Sequence, residues 1–580
     1  MRTTGAIGIG MALALGACAA PSSYDGLSGG AKDDPSLIAP RQLSPISVSM
    51  VATSRPKFRW DLQQTATGAV VELCKLRDCL PAPDKTFVAD GRELVVPEDI
   101  EPGIWFWRLK ARADRKTGTQ TSATWEVLVR GPAKYGSSDA PTGSVVDVDG
   151  DGNPDFMVSG FEFADDRAPK GEPNQFPLLF LQRGLPGGDF PALDYTTVPD
   201  MIFFGTPKVG DVSIGGGIDL DGDGFTDVVH AGMDALPIDL GDIYETLVEY
   251  GSPTGFDANK TAPLPFMNFA SFFPGVRPIL REAGDVNGDG YGDVVAGGDD
   301  LGFVTFGTRQ GPSAVLPVAG APPGVRSRAV LSGFDADGDG LADVAIASPR
   351  YSADASHQSG AKLAAAGLAA SEHRRVQSGS ELDAWVSSMG PVFAARGSAD
   401  MKVNDGRGLV SASAVTSSSE EATAIAFASG DFNGDGIADM AATIAATTSS
   451  MVCFWFGSRD SFMVQGPCAR SLPGDSRFGA DITAADLEGD GVDELIVTAV
   501  NGGKDNLRVV SLDDASALVA PIGPPGVGLR LTTIWPGRPG KARWAAIGAG
   551  GRAVAIFEGS EIRQTLKAPD FVQQLGTGLR

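Results

Sequence analysis

Apolar positions along this chain come in short runs of roughly four to eight residues, separated by clusters of Gly, Pro, Asn, Asp and Ser, which is the pattern of strands joined by turns. Between about 46 and 131 the runs are Pro56–Trp60, Ala69–Leu73, Ile104–Leu109 and Thr124–Val129. Each alternates apolar with polar residues, and turn clusters such as Glu101-Pro102-Gly103 part them. This stretch predicts a small β-sandwich with its tryptophans in the core. Residues 18–45 have no periodicity and are rich in Ala, Pro, Ser, Gly and Asp, the composition of a flexible linker. From residue 132 to 580 the short runs recur around one repeated phrase.

That phrase is a nonapeptide. It appears as Asp147-x-Asp149-Gly-Asp151-Gly-x-x-Asp155, then with Asp219, Asp221, Asp223 and Asp227, and then with Asp285, Asn287, Asp289 and Asp293. It returns with Asp335, Asp337, Asp339 and Asp343, with Asp431, Asn433, Asp435 and Asp439, and most loosely with Asp486, Glu488, Asp490 and Glu494. Six such phrases at periods of tens of residues mark a repeat architecture. Oxygen side chains at positions 1, 3, 5 and 9, with a backbone carbonyl at 7, suit a hard cation. Calcium takes about six to eight oxygens, whereas magnesium keeps its waters. Gly at position 6 permits a sharp turn, and Gly at 4 a positive φ. The expected cofactor is therefore calcium, about six ions in a structural role. An EF-hand would need a Glu at position 12. Here that position holds Val158, His230, Ala296, Ile346, Ala442 and Val497, and a short β-run follows each loop.

A second landmark is a strand ending in glycine, at Gly184, Gly251, Gly307, Gly397 and Gly457. From each glycine to the next loop the spacing is 35, 34, 28, 34 and 29 residues. From loop to glycine it is 37, 32, 22, 62 and 26, which places one insertion, about 351–388, in the fourth repeat. The insertion reads either as a recognition loop or as a plain surface excursion.

The loop, the strand after it and a later strand ending in Phe-Gly, as in Val304–Gly307 and Phe454–Gly457, resemble the FG-GAP repeat of integrin-α-like proteins, also called VCBS-like. The resemblance implies four-stranded blades around an axis, with each calcium loop joining the first two strands of a blade. Arg543–Gly548 and Arg552–Gly559 repeat the strand pair, but Pro536–Lys541 replaces the loop with cationic and apolar residues. The expected fold is all-β: a seven-bladed calcium-binding β-propeller preceded by a small sandwich. Six blades with a C-terminal extension is the other reading. Within 46–131, Pro102–Ala111 and Ser122–Val129 resemble the late strands of a fibronectin type III-like domain.

The amino terminus adds a destination. One basic residue, Arg2, precedes the apolar run Gly5–Leu15, too short to span a bilayer but fitting a secretory leader. Leu15-Gly16-Ala17-Cys18 resembles a bacterial lipobox. It implies removal of residues 1–17 and lipidation of Cys18, with an ordinary leader and a chance cysteine as the alternative. Lipid on Cys18 would be the only membrane anchor. Ala19 stands where an Asp would resemble an inner-membrane retention signal, so the outer membrane is expected, with surface exposure open. Export favours disulfides Cys74–Cys79 and Cys453–Cys468 over four buried thiols.

Net charge is −25, yet twenty-two acidic side chains occupy loop positions, and without them it would be −3. The acidity is cation sites, not a solvating tail. Nucleic acid is a poor partner for such a surface. His230, His357 and His373 are scattered, and neither a His/Glu zinc motif nor a Gly-x-Ser-x-Gly elbow occurs, so no catalytic residue is assigned. The expected function is a cell-surface binding or adhesion module for a protein or glycan. A carbohydrate-active lyase or hydrolase on the same scaffold is the alternative.

Overall fold

The computed structural model describes residues 32–163, 175–193, 201–203, 213–234, 243–264, 279–297, 302–313, 315–317, 329–347, 392–398, 404–410, 423–445, 450–502, 504–513, 516–548, 551–569 and 572–579. The leader, Cys18, the 351–388 insertion, His357 and His373 lie outside them. Among the described residues every regular element is a β-strand, so the chain is all-β, as its sequence predicts.

Two sheets form the N-terminal unit. Arg41–Ser44, Lys57–Asp61 and Glu93–Val95 make a three-stranded sheet. The larger sheet is built on Gly103–Ala113, which pairs antiparallel with Gly68–Cys74, Lys116–Thr121 and Trp125–Val129. Along Gly103–Ala113 the period-two alternation puts Trp105, Trp107, Leu109 and Ala111 inside, while Arg108 and Lys110 stay half-buried. Across the gap Phe58 meets Trp107 at 4.6 Å, and Trp125 meets Trp107 edge-on at 5.6 Å. These tryptophans are core. Cys74 and Cys79 are disulfide-bonded.

The sheets extend beyond the expected 46–131. Lys32–Asp34 runs parallel to Lys116–Thr121, with an Asp34–Lys116 ion pair at 2.8 Å, and Leu37 is buried. The flexible linker expected up to 45 is therefore, from Lys32 onward, part of the fold. Three- and four-residue edge strands are too short to show a period, which is why the sequence hides them. At the other boundary, Ser138–Ser144 pairs with Ser49–Ala52 and carries the larger sheet past 131.

Beyond it, among the described residues, stand seven four-stranded antiparallel sheets. Six follow chain order, beginning at Ser213–Ile218, Ile279–Gly284, Ala329–Phe334, Thr423–Gly430, Ile482–Ala485 and Val527–Trp535. In the remaining sheet the carboxyl-terminal strand Val572–Leu579 takes the first place, pairing with Phe156–Phe163. Each first strand neighbours the first strand of the next sheet, and Val572–Leu579 closes the circuit between Val527–Trp535 and Ser213–Ile218. Both faces of a sheet are covered by its neighbours. Val295, Val304 and Phe306 pack on Val344, Ile346 and Ala395, for example. Strands such as Asp293–Gly297 are consequently buried at every residue and read as continuous apolar runs rather than alternations. Cys453 and Cys468 sit opposite each other in neighbouring strands and are bonded.

Candidate metal centre

Five nonapeptide loops join the first two strands of a sheet, as expected. The first does not. Its preceding strand, Ser138–Ser144, belongs to the N-terminal sheet, and the place it would have filled is taken by Val572–Leu579. The segment Pro536–Lys541 joins the first two strands of the seventh sheet without carboxylates. All twelve loop glycines at positions 4 and 6 have positive φ, from 65° at Gly150 to 100° at Gly224. A residue with a Cβ would be strained at each.

The loops organise themselves through their carboxylates. In loop 2 the Gly222 and Gly224 amides donate to Asp219 at 2.7 and 2.9 Å, and the Phe225 amide donates to Asp223 at 3.1 Å. The position-9 aspartate is a clamp. Asp227 accepts from the Leu220 amide at 2.9 Å within the loop and from the Gly251 amide at 3.0 Å at the end of the third strand. Asp155 holds Gly184, Asp293 holds Gly307, Asp343 holds Gly397 and Asp439 holds Gly457 in the same way, at 2.8–3.0 Å. The recurring glycine is thus the second anchor of loops 1 to 5.

Carboxylate oxygens come within 4.8 Å of one another in three groups: Asp147, Asp149 and Asp155; Asp219, Asp221 and Asp227; and Asp335, Asp337 and Asp339. These belong to loops 1, 2 and 4. In loops 3 and 5, Asn287 and Asn433 replace the position-3 aspartate, and their amides donate to Asp289 and Asp435 at 3.1 and 3.0 Å. Where position 3 is Asp, a base from the same sheet stands against it. Arg183 meets Asp149 at 3.2 Å, Arg396 meets Asp337 at 3.0 Å, and Lys260 pairs with Asp221. Counted formally over a loop and its own sheet, four carboxylates with one base and three with none both come to −3. In loop 6, Arg538 from the carboxylate-free seventh connection lies 3.2 Å from Asp486, and Lys134 lies 2.7 Å from Asp490. That loop carries its own resident cations.

Burial followed by mutual repulsion raises the acids at positions 1 and 9. Asp147 is pushed up to about 6, Asp285, Asp335 and Asp431 to about 7, and Glu494 to about 8. Asp155, Asp219, Asp227, Asp293, Asp343 and Asp439 rise well above the carboxylate range for the same reason. Asp490 goes down: its burial pushes it up, but the bonds from Lys134 and the Val492 amide, with the charges of Lys134 and Arg538, together outweigh that. An all-oxygen donor set that repels itself fits a hard divalent cation. A buried Asp149 oxygen without a hydrogen-bond donor fits it too.

Sequence reasoning missed the residues that close over these loops. Arg77 donates to the Gly150 carbonyl of loop 1 at 2.9 Å and to the Gly224 carbonyl of loop 2. Trp125 Nε1 bonds the Gly222 carbonyl at 3.0 Å, and Arg41 bonds that of Asp289. The Tyr135 amide meets the Gly434 carbonyl at 2.7 Å, and Arg130 pairs with Asp493 through two contacts, of which the shorter is 2.6 Å. The N-terminal unit therefore rests on the loop face. His230 is buried on its strand, with Nε2 3.2 Å from Glu249.

No protein-family model matches the chain. A 147-residue stretch is 34% identical to integrin alpha-PS5 of Drosophila melanogaster, covering 23% of this chain and 14% of that protein. The chain thus matches about one-seventh of the relative's length. Among solved structures, an exotype rhamnogalacturonan lyase is similar with a TM-score of 0.33 and 11% identity, over 90% of this chain and 91% of that one. A Bacillus licheniformis rhamnogalacturonan lyase gives 0.33 and 11% over 90% and 92%, and a protein from Lactobacillus plantarum 0.36 and 10% over 73% and 98%. The sequence is in part similar to an integrin α chain.

Proposed function

We propose that the chain is an exported, lipid-anchored, seven-bladed propeller of FG-GAP type, stabilised by calcium, that presents a binding or adhesion surface to a protein or glycan. The observation that carries the metal reading is the gathering of carboxylate oxygens within 4.8 Å of one another in loops 1, 2 and 4, on a nonapeptide that recurs in six loops and whose mutual repulsion a cation would relieve. Catalysis finds less support. The cavity where the first strands converge is lined mostly by Gly, Ser, Thr and apolar residues, with Arg281, Glu282 and the paired Arg130 and Asp493. No histidine or tyrosine lines it among the described residues. Binding to the native state alone raises stability by mass action, and extracellular modules work at about 10⁻⁴–10⁻³ M calcium.

The test is thermal melting of the full chain in millimolar calcium or EGTA, followed by a glycan array and a polysaccharide lyase and hydrolase assay. A higher melting temperature in calcium and glycan or protein capture without turnover is expected. An unchanged melting temperature refutes the calcium reading, and turnover refutes the binding module. Cys18→Ser should move the protein out of the membrane fraction.

A further inference from the structure

Strand Trp125–Val129 has two faces. Trp125, Val127 and Val129 point into the sandwich core. Leu128 points the other way, packing with Val48, Met50, Val145 and Trp535 on the side of the ring. Alternation puts Glu126 on that same ring-facing side. It is wholly buried, and neither oxygen of its carboxylate has a hydrogen-bond donor. Its carboxyl lies against that of Asp147, with Asp155 close behind. The nearest cation, Arg77, spends its guanidinium on the carbonyls of Gly150, Thr124 and Gly224. Loop 1 adds one more buried oxygen without a donor, Asp149 Oδ1, in a group already within 4.8 Å of Asp147 and Asp155.

Three buried oxygens without an N–H or hydroxyl donor thus border one acidic cluster, which Glu126 reaches at Asp147 from outside the group lying within 4.8 Å. A buried carboxylate with no partner is disfavoured unless a proton or a metal neutralises it. Here carboxyl meets carboxyl, so either a proton shared between Glu126 and Asp147 or a metal between them must relieve the pair.

We propose that loop 1 is a divalent-cation site shared between the two units, with Glu126 of the sandwich strand joining Asp147, Asp149 and Asp155 as a ligand. Loop 1 is the one loop whose preceding strand belongs to the sandwich sheet, so a ligand from that sheet is available here. This inference rests on the calcium reading of the loops and extends it to a residue outside the nonapeptide.

The experiment counts calcium by equilibrium dialysis and titration calorimetry on the full chain, comparing wild type with Glu126→Gln and Glu126→Leu. One ion fewer, or one site weakened at least tenfold, is expected, with the other sites unchanged. Removing a buried, unpaired charge should also raise the melting temperature in EGTA while shrinking the increment that calcium adds. Asp149→Asn should affect the same site, and its effect should not add to that of Glu126→Gln. If Glu126→Gln binds the same number of ions with equal or greater affinity, Glu126 is a neutral acid shared with Asp147 and the proposal is overturned. If either variant does not fold, the folded one decides, and the remaining ions serve as the internal control. If the wild type binds no calcium at all, the reading of all six loops fails and this one with it.

Discussion

At the scale of single residues, the loop aspartates were legible because their chemistry is written in their spacing, but their division of labour was not. Position 9 looked like one ligand among four, yet Asp227 is also a clamp, each oxygen accepting one amide, from Leu220 and Gly251, with a lone pair left over. The strand-ending glycines stood out as spacing marks, and the structure supplies the reason for them. A Cβ on Gly251 would lie 2.5 Å from the Thr226 carbonyl and 2.7 Å from that of Val148. Gly251→Ala should therefore cost about 1–3 kcal/mol through overpacking. It should lower the melting temperature in saturating calcium by several degrees, and an unchanged value would mean the clamp tolerates a displaced strand. A further signal lay unread beside these glycines. Arg183 and Arg396 directly precede Gly184 and Gly397 where position 3 is Asp, whereas Phe306 and Phe456 precede Gly307 and Gly457 where it is Asn. In loop 2, Tyr250 holds that place and Lys260 lies over its ring at 4.1 Å while pairing with Asp221.

At the scale of elements, the strands after each loop were predicted well because burial on both faces leaves uninterrupted apolar runs. The short edge strands Lys32–Asp34 and Arg41–Ser44 escaped, since their pairing partners are far away in sequence and their side chains are mixed. The loop, taken as an element, has its own pH dependence. Asp285, Asp335 and Asp431 titrate at about 7 in the folded, metal-free chain, against 3.8 for an unperturbed aspartate. Between those values the folded chain holds more protons than the unfolded one, so the stability these groups confer is full below the unfolded pKa and is lost as pH rises through the folded pKa. In EGTA the melting temperature should therefore fall from about pH 5 to about pH 8. In saturating calcium the fall should be much smaller, because the metal replaces the protons. A flat apo profile over that range would show that these acids ionise freely in the folded chain.

At the scale of the whole molecule, the repeat count was legible but the assembly was not. Nothing in local sequence says that Val572–Leu579 returns to the sheet of Phe156–Phe163, or that the sandwich sits on the loop face. Arg77 is the clearest link, because one guanidinium joins loop 1, loop 2 and the sandwich residue Thr124, and it also lies 4.0 Å over Phe225. Its acceptors Gly150 and Gly224 are glycines whose positive φ defines the loop turns. A cation inside the loop and Arg77 outside it thus favour the same backbone conformation. Two ligands that select one conformation help each other equally, so calcium should tighten the docking and docking should tighten calcium. The Lys134 and Tyr135 amides, bonded to the Gly491 and Gly434 carbonyls, report that docking directly. Their hydrogen exchange should be slow in calcium and faster in EGTA. Arg77→Ala should speed it even in calcium and shift the calcium midpoint upward. If exchange at these two amides is the same with and without calcium, the sandwich rests on the loops without being coupled to what they bind.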